Sequence, residues 1–396
     1  MLNAFFSSDT IHGDNDMITE FTIQNYKAIK DATLHLTQMH VLIGPNNSGK
    51  TSILEAISAM CRSVDEPLDD GRTTVFGNDW QGSELLWNHN PETVRLYAKF
   101  RSMGISAERN SYLLDLLLQS PRAICLRDES IDGKEMNGNG SKETIIRRQR
   151  GNLNEKLSSI HDLLSGIQKF RWNPSYLALP AVGNLSGPST MHESGFGLSI
   201  VLDDILGDNR EQFECLENHF RRIFPEVRRI KLRNVAAYQM ESGRGSIPTL
   251  KGAPGKGIYF EMKEGGAVLP ASQCSDGLLL VLAYLSLLYS PDPPRVVAIE
   301  EPENGIHPKL LQQIITILRR IVEDQSHTQV ILTTHSPYVL DMFKPEEVSL
   351  CQRNDDGSIR VTQLSNSKTI QDQIDVFSLG EIWTAEGDEK LGSTEG

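Results

Sequence analysis

Apolar residues recur at every second position in two early stretches, Phe21 with Ile23 and Leu34 with Leu36, and the solid run Val41-Leu42-Ile43 stops at Gly44. A period of two places alternate side chains on one face, so the two stretches predict half-buried strands from Ile18 onward. The run predicts a buried strand that feeds a glycine-rich loop. After Thr51 the spacing changes, with Ile53, Leu54 and Ile57 on one helical face, so the loop opens a helix. Val94, Leu96, Ala98 and Phe100 alternate again and finish an N-terminal β lobe.

Residues 127–155 are rich in Gly, Asn, Ser and charge, with Asn137-Gly138-Asn139-Gly140-Ser141 at their centre, and predict a flexible excursion. Leu157, Ile160, Leu164 and Ile167 then predict a helix, and the chain to about Asn234 reads as mainly helical. Alternation returns at Ile258, Phe260 and Met262, followed by a turn at Gly265-Gly266 and a short strand around Val268. Ser275-Asp276-Gly277 opens a strongly apolar helix. Residues 296–299 predict a short buried strand, and Leu311, Ile314, Ile315, Leu318, Ile321 and Val322 mark one helix face before a further strand at 330–332. Strand, helix, strand implies a parallel βαβ unit.

These elements divide the chain into a disordered N-terminal extension (1–16), a head built from 17–105 and 255–366, a mainly helical insertion or lid (106–254) and a C-terminal tail (367–396). The tail segment 371–383 holds Ile374, Phe377, Leu379, Ile382 and Trp383, an apolar group that can dock on its own head or on another protein.

With 396 residues, 39% hydrophobic and 23% charged, the composition is that of a water-soluble globular protein. The apolar run 278–289 is shorter than the roughly 20 residues that cross a bilayer, so it predicts a buried helix and no membrane span. Cys61, Cys125, Cys215, Cys274 and Cys351 lie far apart without a C-x-x-C pair, which suits a reducing cytoplasm and argues against a disulfide framework or zinc site. A formal net charge of −13 opposes non-specific attraction to nucleic acid. The one basic stretch, Arg221, Arg222, Arg228, Arg229, Lys231 and Arg233, reads as a solvated or ion-paired face.

Gly44-Pro45-Asn46-Asn47-Ser48-Gly49-Lys50-Thr51 satisfies G-x-x-x-x-G-K-[ST] between a predicted strand and a predicted helix, the context that gives the phosphate-binding motif its meaning. Glycines let backbone N–H groups close around a β-phosphate, Lys50 reaches the β- and γ-phosphates, and the Thr51 hydroxyl suits Mg2+. Glu300 and Glu301 follow the buried run 296–299, where the first can hold the magnesium shell and the second can polarise an attacking water. Thr333-Thr334-His335-Ser336-Pro337 ends the adjacent strand and places His335 where it can hydrogen-bond phosphate or water.

Taken together, Asn25-Tyr26-Lys27, residues 44–51, Ser275-Asp276-Gly277, Glu300-Glu301-Pro302-Glu303-Asn304-Gly305-Ile306-His307-Pro308 and Thr334-His335-Ser336 resemble the motifs of the RecF-like and OLD-like (overcoming lysogenisation defect) ABC-type ATPases. The resemblance implies an α/β P-loop NTPase fold of ABC type, with a mixed sheet beside the N-terminal β lobe. It implies ATP and Mg2+ as ligands, Glu300 completing the magnesium site, Glu301 as catalytic base and His335 as switch histidine. It further implies that Ser275 and Gly277 face the γ-phosphate bound by a second copy, so that ATP joins a homodimer or higher oligomer, and that Lys27 matches a basic residue that reaches nucleotide. The Ser-Asp-Gly signature departs from the L-S-G-G-Q of transporter engines. The glutamine loop can be Gln168, Gln239 or Gln273. OLD proteins carry a metal-dependent Toprim nuclease after the ATPase, whereas about sixty residues follow His335 here, with no Asp-x-Asp among them. The expectation is a stand-alone ATPase that controls a separately encoded effector, a nuclease, in antiviral defence. Alternatives are a DNA-repair or DNA-clamping ATPase that contacts DNA directly, and a slow-turnover ATP-loaded scaffold that sequesters a partner.

Overall fold

The computed structural model describes residues 17–70, 74–77, 82–89, 93–101, 110–119, 123–136, 138, 140–183, 189–240, 247–325 and 327–392. The N-terminal extension 1–16 lies outside them, as do Asn137 and Asn139 of the Gly/Asn-rich stretch. The chain begins with β1 (Met17–Tyr26), β2 (Ile29–His35) and β3 (Met39–Ile43), and enters α1 (Lys50–Arg62). Strands β4 (Thr93–Arg101), β5 (Ser111–Gln119), β6 (Ala123–Ile131) and β7 (Lys134–Glu135) follow, then α2 (Ile145–Arg148), α3 (Glu155–Leu164) and β8 (Gln168–Phe170). Helices α4 (Pro174–Leu177), α5 (Leu198–Asp208) and α6 (Arg210–Ile223) lead to β9 (Val227–Gln239), β10 (Thr249–Met262) and β11 (Val268–Pro270). The remainder runs α7 (Asp276–Leu288), β12 (Val296–Glu300), α8 (Pro308–Asp324), β13 (Gln329–Thr333), α9 (Pro337–Leu340), β14 (Val348–Arg353), β15 (Ile359–Gln363), α10 (Lys368–Gln373) and α11 (Leu379–Leu391).

Three sheets organise the described strands. The central one has the order β15-β14-β3-β13-β12-β8, parallel from β14 to β8 with β15 antiparallel at its edge. Strands β3, β12 and β13 are buried along their whole length, as expected of parallel strands covered on both faces. One face, with Leu42, Ala298 and Ile331, packs with Ile53, Leu54 and Ile57 of α1. The other, with Val41, Ile299 and Leu332, packs with α7 and α8. Helix α7 is buried along nearly its full length, and no helix among the described residues is long and apolar enough to cross a membrane.

The second sheet, β2-β1-β4-β5-β6-β7, is antiparallel and extends the N-terminal β lobe beyond its predicted end. The expectation of a mainly helical segment over 106–254 is therefore corrected, because β5, β6, β7, β8, β9 and the start of β10 fall within it. In β5, Tyr112, Leu114 and Leu116 are fully buried at alternate positions, a period-two signal obscured by Leu113 between them and by Leu117 and Leu118 after them. Residues 127–155 are likewise tied down where described. Buried Glu129 accepts from Tyr112 Oη at 2.7 Å and from the Ile145 N–H at 2.8 Å, so a carboxylate that looks solvated in sequence anchors the segment.

The basic stretch is divided between two elements, with Arg221 and Arg222 in the last turn of α6 and Arg228, Arg229, Lys231 and Arg233 on β9, which pairs with β10 in the third sheet. Glu261 of β10 lies 3.3 Å from Arg228 and 2.5 Å from Lys231, so of the solvated or ion-paired face expected there these two residues form the ion-paired part. The tail folds back on the head: Ile370, Leu379, Ile382 and Leu391 join the core beneath α9 and β14, and the Gly380 N–H donates to Asp341 Oδ1 at 2.6 Å.

Candidate nucleotide site

Strands β3, β13 and β12 are parallel neighbours, so their carboxyl ends open on one edge of the sheet, the usual ligand edge of an α/β fold. Residues 44–51 leave β3, His335 leaves β13, and Glu300 and Glu301 leave β12. Asn46, Glu301, Glu303, Asn304, His335 and Ser336 line one cleft at this edge.

The loop closes tightly because its backbone requires glycine. Gly44 has φ +135, and a Cβ there would overlap the Cys351 carbonyl of β14, so no side chain fits between the two strands. Gly49 caps α1 in the left-handed region (φ 87), while Asn47 adopts φ 62, a conformation that asparagine tolerates better than most residues. Pro45, Asn46, Asn47 and Thr51 are exposed, and Ser48 is buried. Lys50, first residue of α1, donates through Nζ to the Gly44 and Pro45 carbonyls at 2.8 Å each and to Ser48 Oγ at 3.3 Å. Burial lowers the Lys50 pKa from the usual lysine value, and the negative charges of Glu301, Glu303 and Asp388 oppose that shift. The ammonium is thus held inside the loop with its donors directed at oxygens, the arrangement that phosphate oxygens can take over.

Glu301 adopts φ 49, uncommon for a residue with a side chain. Its N–H donates to the Thr333 carbonyl at 3.1 Å and Thr333 Oγ1 at 3.2 Å, which holds the bend. Its carboxylate is braced on both oxygens: Asn304 Nδ2 donates to Oε2 at 2.7 Å, and His335 Nε2 lies 3.2 Å from Oε1. Glu303 fixes the neighbouring loop, accepting through Oε1 from Thr334 Oγ1 at 2.8 Å and the His335 N–H at 2.7 Å. Glu303 and Asn304 belong to the cleft, a role that the motif 300–308 does not by itself assign to them. Their signal was their place three and four residues beyond Glu300.

Glu300 is buried at the end of β12. Lys169 Nζ lies 2.9 Å from its Oε1 and Arg171 Nη1 3.8 Å from its Oε2. Oε1 is fully buried and accepts no well-directed hydrogen bond, which fits a cation ligand. Among the described residues no cluster of three or more His, Cys, Asp or Glu could hold a metal by itself. That is in keeping with magnesium, which typically takes one or two carboxylates and completes its shell with water and phosphate oxygens.

Other predicted residues lie apart from this cluster. Lys27 sits at a left-handed turn (φ 50) between β1 and β2, and its Nζ pairs with Glu55 of α1. Ser275 is the exposed N-cap of α7 and its side chain makes no capping bond. Gly277 is buried, and a Cβ there would lie 2.6 Å from Leu310 Cδ1, so glycine permits α8 to pack closely. Among the described residues no hydrogen bond or ion pair joins Ser275 or Gly277 to residues 44–51 of the same chain. Of the glutamines, Gln168 lies in the central sheet opposite Val297, Gln239 ends β9, and Gln273 precedes α7.

Residues 39–341 match the family model described as "AAA domain, putative AbiEii toxin, Type IV TA system". The chain is 23% identical over 372 residues to the Septu protein PtuA of Bacillus thuringiensis, covering 88% of this chain and 79% of that one. It is 22% identical over 393 residues to the OLD nuclease of Thermus scotoductus, covering 92% of this chain and 68% of the relative. It is also 22% identical to the endonuclease GajA of Bacillus cereus over 81% of this chain, and spans 56% of GajA's length. An SMC head crystallised with the C-winged helix domain of ScpA shares the fold, with a TM-score of 0.54, 14% identity, and coverage of 90% of this chain and 99% of that one. The OLD-like resemblance and the ABC-type P-loop fold expected from the motifs are both borne out by these matches. The matched model covers more than half of the sequence and includes the phosphate loop, both acids and the histidine, and the chain belongs to this AAA family of P-loop ATPases.

Proposed function

We propose that the chain binds ATP in the loop 44–51 and hydrolyses it to ADP and phosphate at a site completed by Ser275 and Gly277 of a second copy. The observation that carries the reading is the convergence of three loops on adjacent parallel strands, with Glu301 and His335 3.2 Å apart beside the lysine-bearing loop. Lys50 binds the β- and γ-phosphates. Thr51 and Glu300 hold magnesium, whose chemistry when bound is to neutralise charge on the phosphate oxygens. Glu301 accepts the proton of the attacking water, and His335 orients that carboxylate and hydrogen-bonds the γ-phosphate. Ser275, exposed at the N-terminus of a 13-residue helix, is suited to meet an anion presented by the partner copy.

The ATP cycle of this homodimer or larger oligomer controls a separately encoded effector, a nuclease, in antiviral defence. Support comes from relatives named as a Septu protein, an OLD nuclease and an endonuclease. The net charge of −13 and the Glu261 pairing of the basic strand disfavour DNA as the primary ligand. The test is affinity purification of Glu301→Gln from its native host with ATP and magnesium, followed by mass spectrometry and a nucleic-acid assay. A stoichiometric nuclease in the eluate supports effector control. DNA without a protein partner replaces it with a DNA-clamping ATPase.

A further inference from the structure

Lys169 has no part in the proposed hydrolysis, yet it touches the carboxylate assigned to magnesium. It lies in β8 opposite Ala298, two residues before Glu300 on β12. Side chains alternate along a strand, so Lys169 and Glu300 project from the same face of the sheet. Lys169 Nζ is 2.9 Å from Glu300 Oε1 and 3.2 Å from Glu193 Oε1, and the side chain is only 11% exposed. Glu193 is held near β8 by its own backbone, its carbonyl accepting from the Arg171 N–H at 2.9 Å. A buried ammonium between two carboxylates can shift from one to the other without losing its counter-charge, which removes the large cost of leaving a buried charge unpaired.

We propose that Lys169 is a resident counter-ion of Glu300 which a divalent cation must displace, and that Glu193 receives the ammonium when it moves. An ammonium and a dication repel each other across one carboxylate, so Lys169 sets the magnesium concentration at which nucleotide binds. Through Glu193, metal binding is linked to the segment that leads into α5. This rests on the assignment of Glu300 to magnesium.

The test is calorimetric titration of the full chain with a non-hydrolysable ATP analogue across a magnesium series. Lys169→Met should lower the half-saturating magnesium by about tenfold or more, the scale on which one neighbouring charge shifts a carboxylate equilibrium. Glu193→Gln should raise it, because the ammonium loses its second partner. Lys169→Arg, which keeps the charge, should stay near wild type. Unchanged magnesium dependence in both Lys169→Met and Glu193→Gln overturns the proposal. If Lys169→Met does not fold, Glu193→Gln decides alone by the same criterion. Wild-type analogue binding that ignores magnesium, or that survives Lys50→Ala, overturns the nucleotide-site reading itself and is distinct from the first outcome.

Discussion

His335 Nε2 lies 3.2 Å from Glu301 Oε1, joining the loop after β13 to the bend after β12 across the mouth of the cleft. The proposed function gives the two different shares of turnover. Glu301→Gln removes the proton acceptor and should lower ATP hydrolysis by about 10²–10⁴-fold while leaving ATP binding intact. His335→Ala should cost less, because Asn304 still holds the carboxylate from its other side. Steady-state phosphate release with parallel binding titrations checks both, and wild-type turnover in Glu301→Gln would sink the assignment.

The phosphate loop makes a prediction about binding and another about stability. Lys50→Ala should abolish ATP binding, as read by a fluorescent analogue. Gly44→Ala forces a Cβ into the Cys351 carbonyl at φ +135 and should destabilise the fold by about 1–3 kcal/mol. Urea unfolding of the ligand-free chain measures that cost, and an unchanged midpoint would show that the two strands can separate there.

His40 supplies a pH dependence. It is fully buried on β3, with Nε2 2.9 Å from Ser349 Oγ, and burial lowers its pKa from 6.5 to about 3. Its folded pKa is depressed, so between about 3 and 6.5 the unfolded chain binds more protons than the folded one. Stability therefore falls as pH drops through that window, by up to about 1.4 kcal/mol per pH unit from this group. The difference in unfolding free energy between wild type and His40→Asn, measured from pH 6.5 to 4.5, should shrink as pH falls. A constant difference would mean that His40 is protonated in the fold.

The head was legible in the sequence because its signals are local. A buried run ending in Gly44, a lysine opening a helix, and two acids after a second buried run each specify an element and its chemistry within a few residues. The N-terminal half of 106–254 was not, because β5 carries leucines on both faces and because Glu129 hides its burial behind a charged residue type. Lys169 was also invisible. A lysine in a three-residue strand looks solvated until β8 pairs with β12 and sets it beside Glu300. Contacts of that kind depend on which strands meet, and the period of the sequence does not say.

The central claim is a site shared between two copies, and mixing two inactive variants tests it most directly. Lys50→Ala lacks the proposed phosphate lysine, and Ser275→Arg blocks the helix N-terminus that the proposed site takes from a partner. In a symmetric pair each variant spoils both sites, whereas a mixed pair retains one site with an intact loop and an intact Ser275. Equal mixing should therefore restore about a quarter of wild-type ATPase activity. No recovery, or full activity in Ser275→Arg alone, would contradict the shared site.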